Sequence, residues 1–159
     1  MSRRKKKIER EIILDPKFNS ELVSRMVNAM MRCGKKTTAE RIVYGAIAEV
    51  DAKKPNKEEE TLEVISKSIN NMKPRVEVKS RRVGGATYQV PVEIKEGRQL
   101  ALALRWLVQY ASARRGAGMP KAVAIEILEA YQGQGNIIKK RDDTHKMAQA
   151  NKAFAHYAW

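Results

Sequence analysis

The chain has 159 residues, 43% of them hydrophobic, a formal net charge of +14 at pH 7 and one cysteine, Cys33. That length suits a single domain able to bury roughly two thirds of its chain surface, the apolar fraction excludes a disordered chain, and a lone cysteine excludes an intramolecular disulfide framework and fits a reducing compartment. No apolar run approaches the ~20 residues that span a bilayer and no signal segment follows the basic N-terminus, so the expectation is a soluble intracellular protein with no membrane partner.

The charge is unevenly placed. Residues 1–10 hold six basic side chains against Glu9, residues 11–72 hold ten basic and ten acidic, and residues 73–159 hold 16 basic and seven acidic. An excess confined to an N-terminal arm and to the second half points to a polyanion surface rather than a uniformly solubilising charge.

In chain order, the arm with Arg3, Arg4 and Lys5 is expected to order only on a polyanion, because blocks of like charge repel. Asp15-Pro16 marks a turn. A first helix starts near Asn19 or Ser20, carries Leu22, Val23, Met26, Val27 and Met30 on one face, and stops at Gly34. Lys35 and Lys36 form a basic turn, and Thr37 with Glu40 has the spacing of a capping box for the second helix, through Ile42, Val43, Ala46, Ile47 and Val50. Asn56 caps a third helix with Glu58, Glu59 and Glu60 in its first turn and Leu62, Ile65 and Ile69 as its stripe.

Residues 73–94 hold the only convincing β-sequence. Valines alternate with other residues in Val76-Glu77-Val78 and Val90-Pro91-Val92, and Gly84-Gly85 between them is a hairpin signal. A two-residue turn puts Val78 opposite Pro91; a three-residue loop, Gly84 to Ala86, pairs Val78 with Val92 and Val76 with Ile94 and gathers one apolar face, so the odd loop is preferred. The ribbon carries Arg75, Lys79, Arg81 and Arg82, and Tyr88 has two uses open to it, stacking on a base or covering the hairpin's own apolar face.

A fourth helix, Arg98 to Arg114, is apolar around most of its girth and is expected to be the central buried one. Arg115 stands in a glycine-rich loop, Met119-Pro120 opens a fifth helix, and Gly133-Gln134-Gly135 ends it. The segment 136–159 reads as a basic surface helix with Lys139, Lys140 and Lys146, then a tail with Phe154, Tyr157 and Trp159 that either docks or stacks on a ligand. The fold class is mainly α: six helices and a protruding two-stranded antiparallel ribbon between helices three and four, in one domain over residues 1–159 with a basic arm, 1–10.

Catalysis finds little support. His145 and His156 lie eleven residues apart without metal-ligand spacing, Gly34-Lys35-Lys36-Thr37 lacks the upstream glycine and strand of a phosphate loop, Gly133-Gln134-Gly135 lacks a βαβ setting, and Asp142-Asp143 is balanced by Arg141 and Lys146. No catalytic residue, metal or cofactor is expected. Binding of nucleic acid fits better: Lys35 and Lys36 sit at a helix N-terminus where phosphate approaches, and Gly84 and Gly85 let a nucleic-acid backbone come close. Several separate basic elements suit a folded RNA contacted at many points. The runner-up is a DNA-binding nucleoid or regulatory protein using helices one and two.

Four stretches carry a family resemblance. Met30-Met31-Arg32-Cys33-Gly34-Lys35-Lys36-Thr37-Thr38-Ala39-Glu40, the ribbon from Val76 through Pro91, Leu104-Arg105-Trp106-Leu107, and Lys139 through His156 resemble, in order, the corresponding parts of bacterial-type small-subunit ribosomal protein seven. The resemblance implies a six-helix domain with a β-ribbon, and a non-enzymatic primary binder of the 3′ major domain of small-subunit (16S) rRNA that nucleates head assembly. It implies a place at the subunit interface near the exit-site tRNA and mRNA, with small-subunit ribosomal proteins nine and eleven as neighbours, in a cytoplasmic ribosome or a bacterial-type organelle one. Carried over by position, Arg3, Arg4, Lys35 and Lys36 face rRNA, while Arg81, Arg82, Gly84 and Gly85 form the tip directed toward the exit site.

Overall fold

The computed structural model describes residues 13–157. Six α-helices, α1 (Glu21–Met30), α2 (Lys36–Lys53), α3 (Thr61–Met72), α4 (Glu96–Ala113), α5 (Met119–Tyr131) and α6 (Asn136–Ala150), are followed by a 3₁₀ helix, Lys152–Tyr157, and two strands, β1 (Val76–Val83) and β2 (Ala86–Glu93), stand between α3 and α4. The mainly helical class and the ribbon's place are as the sequence predicts, with the tail adding a seventh, 3₁₀ helix to the six.

Periodicity explains the helices. In α1 the buried residues are Val23, Met26, Val27 and Met30, and in α3 Val64, Ile65, Ser68, Ile69 and Met72, the i, i+3, i+4 stripes of surface helices. One contiguous core joins these stripes to Val43, Ile47, Val50, Leu107, Ile127 and Ile137, and each fully buried Ile or Leu contributes about 1.5–3 kcal/mol. The buried centre, however, is α5 rather than α4: six of its 13 residues are buried, against five of 18 in α4, and it packs on α2, α3, α4 and α6. Its buried set is rich in small residues, Ala122, Ala124 and Ala130, which bring neighbouring helices close. A Cβ on Gly45 of α2 would stand 3.2 Å from Pro120 Cβ, so the glycine lets α2 meet the start of α5. Helix α4 has larger apolar side chains but leaves Ala101, Arg105 and Gln109 exposed.

Three local expectations need correction. Helix α1 ends at Met30, and the chain then turns through Cys33 and Gly34 at φ of 51° and 73°. Thr37 lies inside the first turn of α2, whose N-cap is Lys35 with no side-chain cap, so the capping box is not formed. Helix α3 begins at Thr61, because Asn56 bonds to Glu59 and the Lys54 ammonium donates to Glu59 O, holding 56–60 as a turn.

The ribbon register also differs from the preferred one. Val83 pairs with Ala86 and Val78 with Pro91, around a two-residue turn. Both turn residues take positive φ, 57° at Gly84 and 90° at Gly85, as a type I′ hairpin requires and as its twist-matched strands favour. The valines need not oppose one another because they find partners elsewhere. Val90 is fully buried on the face that carries Tyr88, which docks on the 3₁₀ helix, while Val78, on the other face, lines a cavity with Leu102, Trp106 and Met147.

Candidate nucleic-acid interface

Helix α4 presents two adjacent rows at spacing four: Leu100, Leu104 and Val108, and beside them Ala101, Arg105 and Gln109. Across from these rows α1 and its exit present Arg25, Asn28 and Arg32 at the helical spacing of three and four. Between them lies an open groove of about 650 Å³ whose lining includes three arginines and no carboxylate. Arg25 is tied to Glu21 at 2.6 Å, one turn back, whereas the side chains of Arg32, Arg105, Asn28 and Gln109 have no partner among the described residues. A smaller cavity shares Arg32 and Val108 with the groove and extends it to Lys35, so the α1–α2 turn continues the same basic face.

Of the residues nominated from sequence, Lys35 and Lys36 are exposed there; Lys35 N–H donates to Arg32 O at 3.1 Å, and Lys36 sits 3.8 Å from Glu40. Arg115 is exposed in the α4–α5 loop, and Lys139 and Lys146 are exposed seven residues apart on α6, with Lys140 half-buried between them. Arg3, Arg4 and Lys5 lie outside the described residues. The structure therefore gathers the basic positions into three groups: the groove with its turn, α6, and the ribbon.

The ribbon's base is held by ion pairs. Arg98 at the start of α4 grips Glu77 bidentately, at 2.9 Å and 2.8 Å, and Lys79 adds a contact at 3.3 Å. These bonds, the Arg98 fork first, hold the Glu77 carboxyl below its usual range. Just before β1 the Arg75 N–H donates to His145 Nε2 at 3.0 Å, tying the base of the ribbon to α6. Burial, then the charge of Arg141, lowers the His145 pKa, which suits an imidazole that must accept. The Tyr88 ring sits 5.3 Å from those of both Phe154 and Tyr157, so these two tail rings dock on the ribbon; Trp159 lies outside the described residues. Beyond the clasp, Arg82, Gly84 and Gly85 project into solvent.

The other candidates take structural places. His156 Nδ1 lies 2.9 Å from Ala153 O, Asp142 pairs with Arg141 at 2.7 Å, and among the described residues no His, Cys, Asp and Glu are grouped as a metal ion requires. No helix among them is long and apolar enough to cross a membrane. Helix α2 packs between α1 and α5 rather than projecting as a recognition helix would. Sequence reasoning did not nominate Arg25, Arg32 or Arg105 as a site, because they lie on two helices far apart in the chain and only packing brings them together.

A family model described as "Ribosomal protein S7p/S5e" matches residues 2–152. The chain is 54% identical over 159 residues to "Small ribosomal subunit protein uS7" of Anaeromyxobacter sp. (strain K), with all of both chains covered. It is likewise 52% and 50% identical, again over the full length of both, to the proteins of that name from Methylococcus capsulatus (strain ATCC 33009 / NCIMB 11132 / Bath) and Xylella fastidiosa (strain M23). With an arginine-lined groove, a glycine-tipped basic ribbon and relatives of the same length throughout, the chain belongs to the S7p/S5e family of ribosomal proteins, structural and non-enzymatic components of the small subunit.

Proposed function

We propose that the chain acts as one rRNA-binding domain over residues 1–159, a primary binder of the 3′ major domain of small-subunit (16S) rRNA that nucleates assembly of the head. Its position in this reading is the subunit interface near the exit-site tRNA and mRNA, with small-subunit ribosomal proteins nine and eleven as neighbours. The observation that supports it best is the groove between α1 and α4, which concentrates Arg25, Arg32 and Arg105 without a carboxylate. Lys35 and Lys36 extend that grip, Arg75, Lys79, Arg115, Lys139, Lys140 and Lys146 add phosphate contacts around it, and Arg3, Arg4 and Lys5 supply the arm. Arg81, Arg82, Gly84 and Gly85 form a probe toward the exit site, with Tyr88 bracing it from behind.

The mechanism is electrostatic. Lysine and arginine neutralise crowded phosphates and release counterions, favouring the folded form of an RNA junction. With ~6 phosphates engaged, affinity for a transcript of the 3′ major domain falls about a thousandfold between 50 and 200 mM salt, read by filter binding. A salt-insensitive complex, or equal affinity for duplex DNA of the same length, overturns the proposal. Lys35→Ala with Lys36→Ala weakens binding and flattens the salt slope by about two; an unchanged slope removes that turn from the interface.

A further inference from the structure

A phosphate backbone needs cations but has no use for an apolar floor. The groove offers both: Leu100, Leu104 and Val108 form a partly buried apolar surface between the arginines of α1 and α4. Its volume of about 650 Å³ is room enough for a base, and its arginines favour an anionic partner. Two carboxamides, Asn28 on α1 and Gln109 on α4, look into this space from opposite walls without a hydrogen-bond partner among the described residues. A carboxamide places a donor beside an acceptor, the complement of a base edge that sets an exocyclic amino group beside a ring nitrogen. Arg32 and Arg105, whose guanidinium groups have no partner among the described residues, are left to hold the phosphates flanking such a base.

From this juxtaposition we infer that the groove is a base-reading pocket: it takes an unstacked adenine or cytosine of the bound rRNA, read by Asn28 and Gln109, while Arg25, Arg32 and Arg105 hold the flanking phosphates. The inference rests on the rRNA-binding reading and adds sequence selection to what is otherwise a purely electrostatic grip.

The test uses the full chain on a transcript of the 3′ major domain. Dimethyl sulfate reports the ring nitrogens of unpaired adenine and cytosine, and hydroxyl radicals report the backbone. The wild-type chain protects one or two unpaired bases inside a broader backbone footprint. Asn28→Ala with Gln109→Ala restores reactivity at those bases and lowers affinity on the order of tenfold to a hundredfold, with the salt slope and backbone footprint kept. Arg32→Ala with Arg105→Ala reduces the salt slope by about two. All four side chains are exposed, so neither pair threatens the fold. A backbone footprint with no protected unpaired base, or base protection that survives the carboxamide substitutions, overturns the pocket while leaving rRNA binding intact. Absence of any footprint by the wild-type chain overturns both.

Discussion

Asp15 is 4% exposed, and both its oxygens are engaged: Oδ2 accepts the N–H groups of Lys17 and Phe18, and Oδ1 accepts the Tyr44 hydroxyl at 2.7 Å. That hydrogen bond, aided by burial, pushes the Tyr44 phenol up to about 12 from its ordinary 10. A raised phenol pKa means stability that is complete below pH 10 and lost as pH rises through about 12. Tyr44→Phe removes that dependence and costs about 1–2 kcal/mol in denaturant unfolding, since the hydroxyl is lost while two backbone donors remain. His145 has the opposite sign. Its folded pKa lies below the ordinary 6.5, so the unfolded chain binds more protons just below that value and stability falls as pH drops through the window. A protonated Nε2 cannot accept from Arg75, and His145→Gln, which keeps an acceptor there, flattens the pH dependence of unfolding below about pH 6.5.

At the scale of elements, the joint between α4 and α5 turns on Arg114, which reaches Glu126 at 2.7 Å and Glu129 at 2.9 Å. Glu126 is 1% exposed and its Oε2 has no partner among the described residues. Arg114→Ala leaves a buried carboxylate uncompensated and costs about 3–5 kcal/mol in thermal or denaturant unfolding; adding Glu126→Gln recovers part of the loss. The ribbon behaves differently. Gly84 and Gly85 have nothing within 4 Å of an added Cβ, so Gly84→Ala with Gly85→Ala pays only for positive φ, about 1–2 kcal/mol per site. Amide exchange speeds in β1 and β2 while the helical melting transition stays in place. Shortening the tip, in the proposed assembly, spares rRNA binding and disturbs exit-site tRNA retention or reading frame, scored by frameshift reporters; loss of head assembly from that change alone makes the ribbon an anchor instead. Helix stripes such as Val23-Met26-Val27-Met30 were legible in sequence because each is local. The register, the identity of the central helix and the α1–α4 groove were not, since each depends on partners distant in the chain: Tyr88 on Phe154, Pro120 of α5 on Gly45, Arg32 on Arg105.

Across the whole molecule, charge and packing divide the labour. Residues 11–72, which carry no net charge, supply much of the core, and the excess cations of residues 73–159 and the α1–α4 face are left for phosphate. A second hold on the ribbon, besides the ion pairs at its base, comes from the 3₁₀ helix: Phe154 and Tyr157 close on Tyr88, and both lie past residue 152, where the family match ends. Chains are made from the N-terminus onward and fold as they emerge. The ribbon, residues 76–93, is therefore made well before the rings that steady it at residues 154 and 157. Replacing Phe154 and Tyr157 by alanine therefore leaves the Glu77–Arg98 clasp in place and speeds amide exchange in β2 around Tyr88.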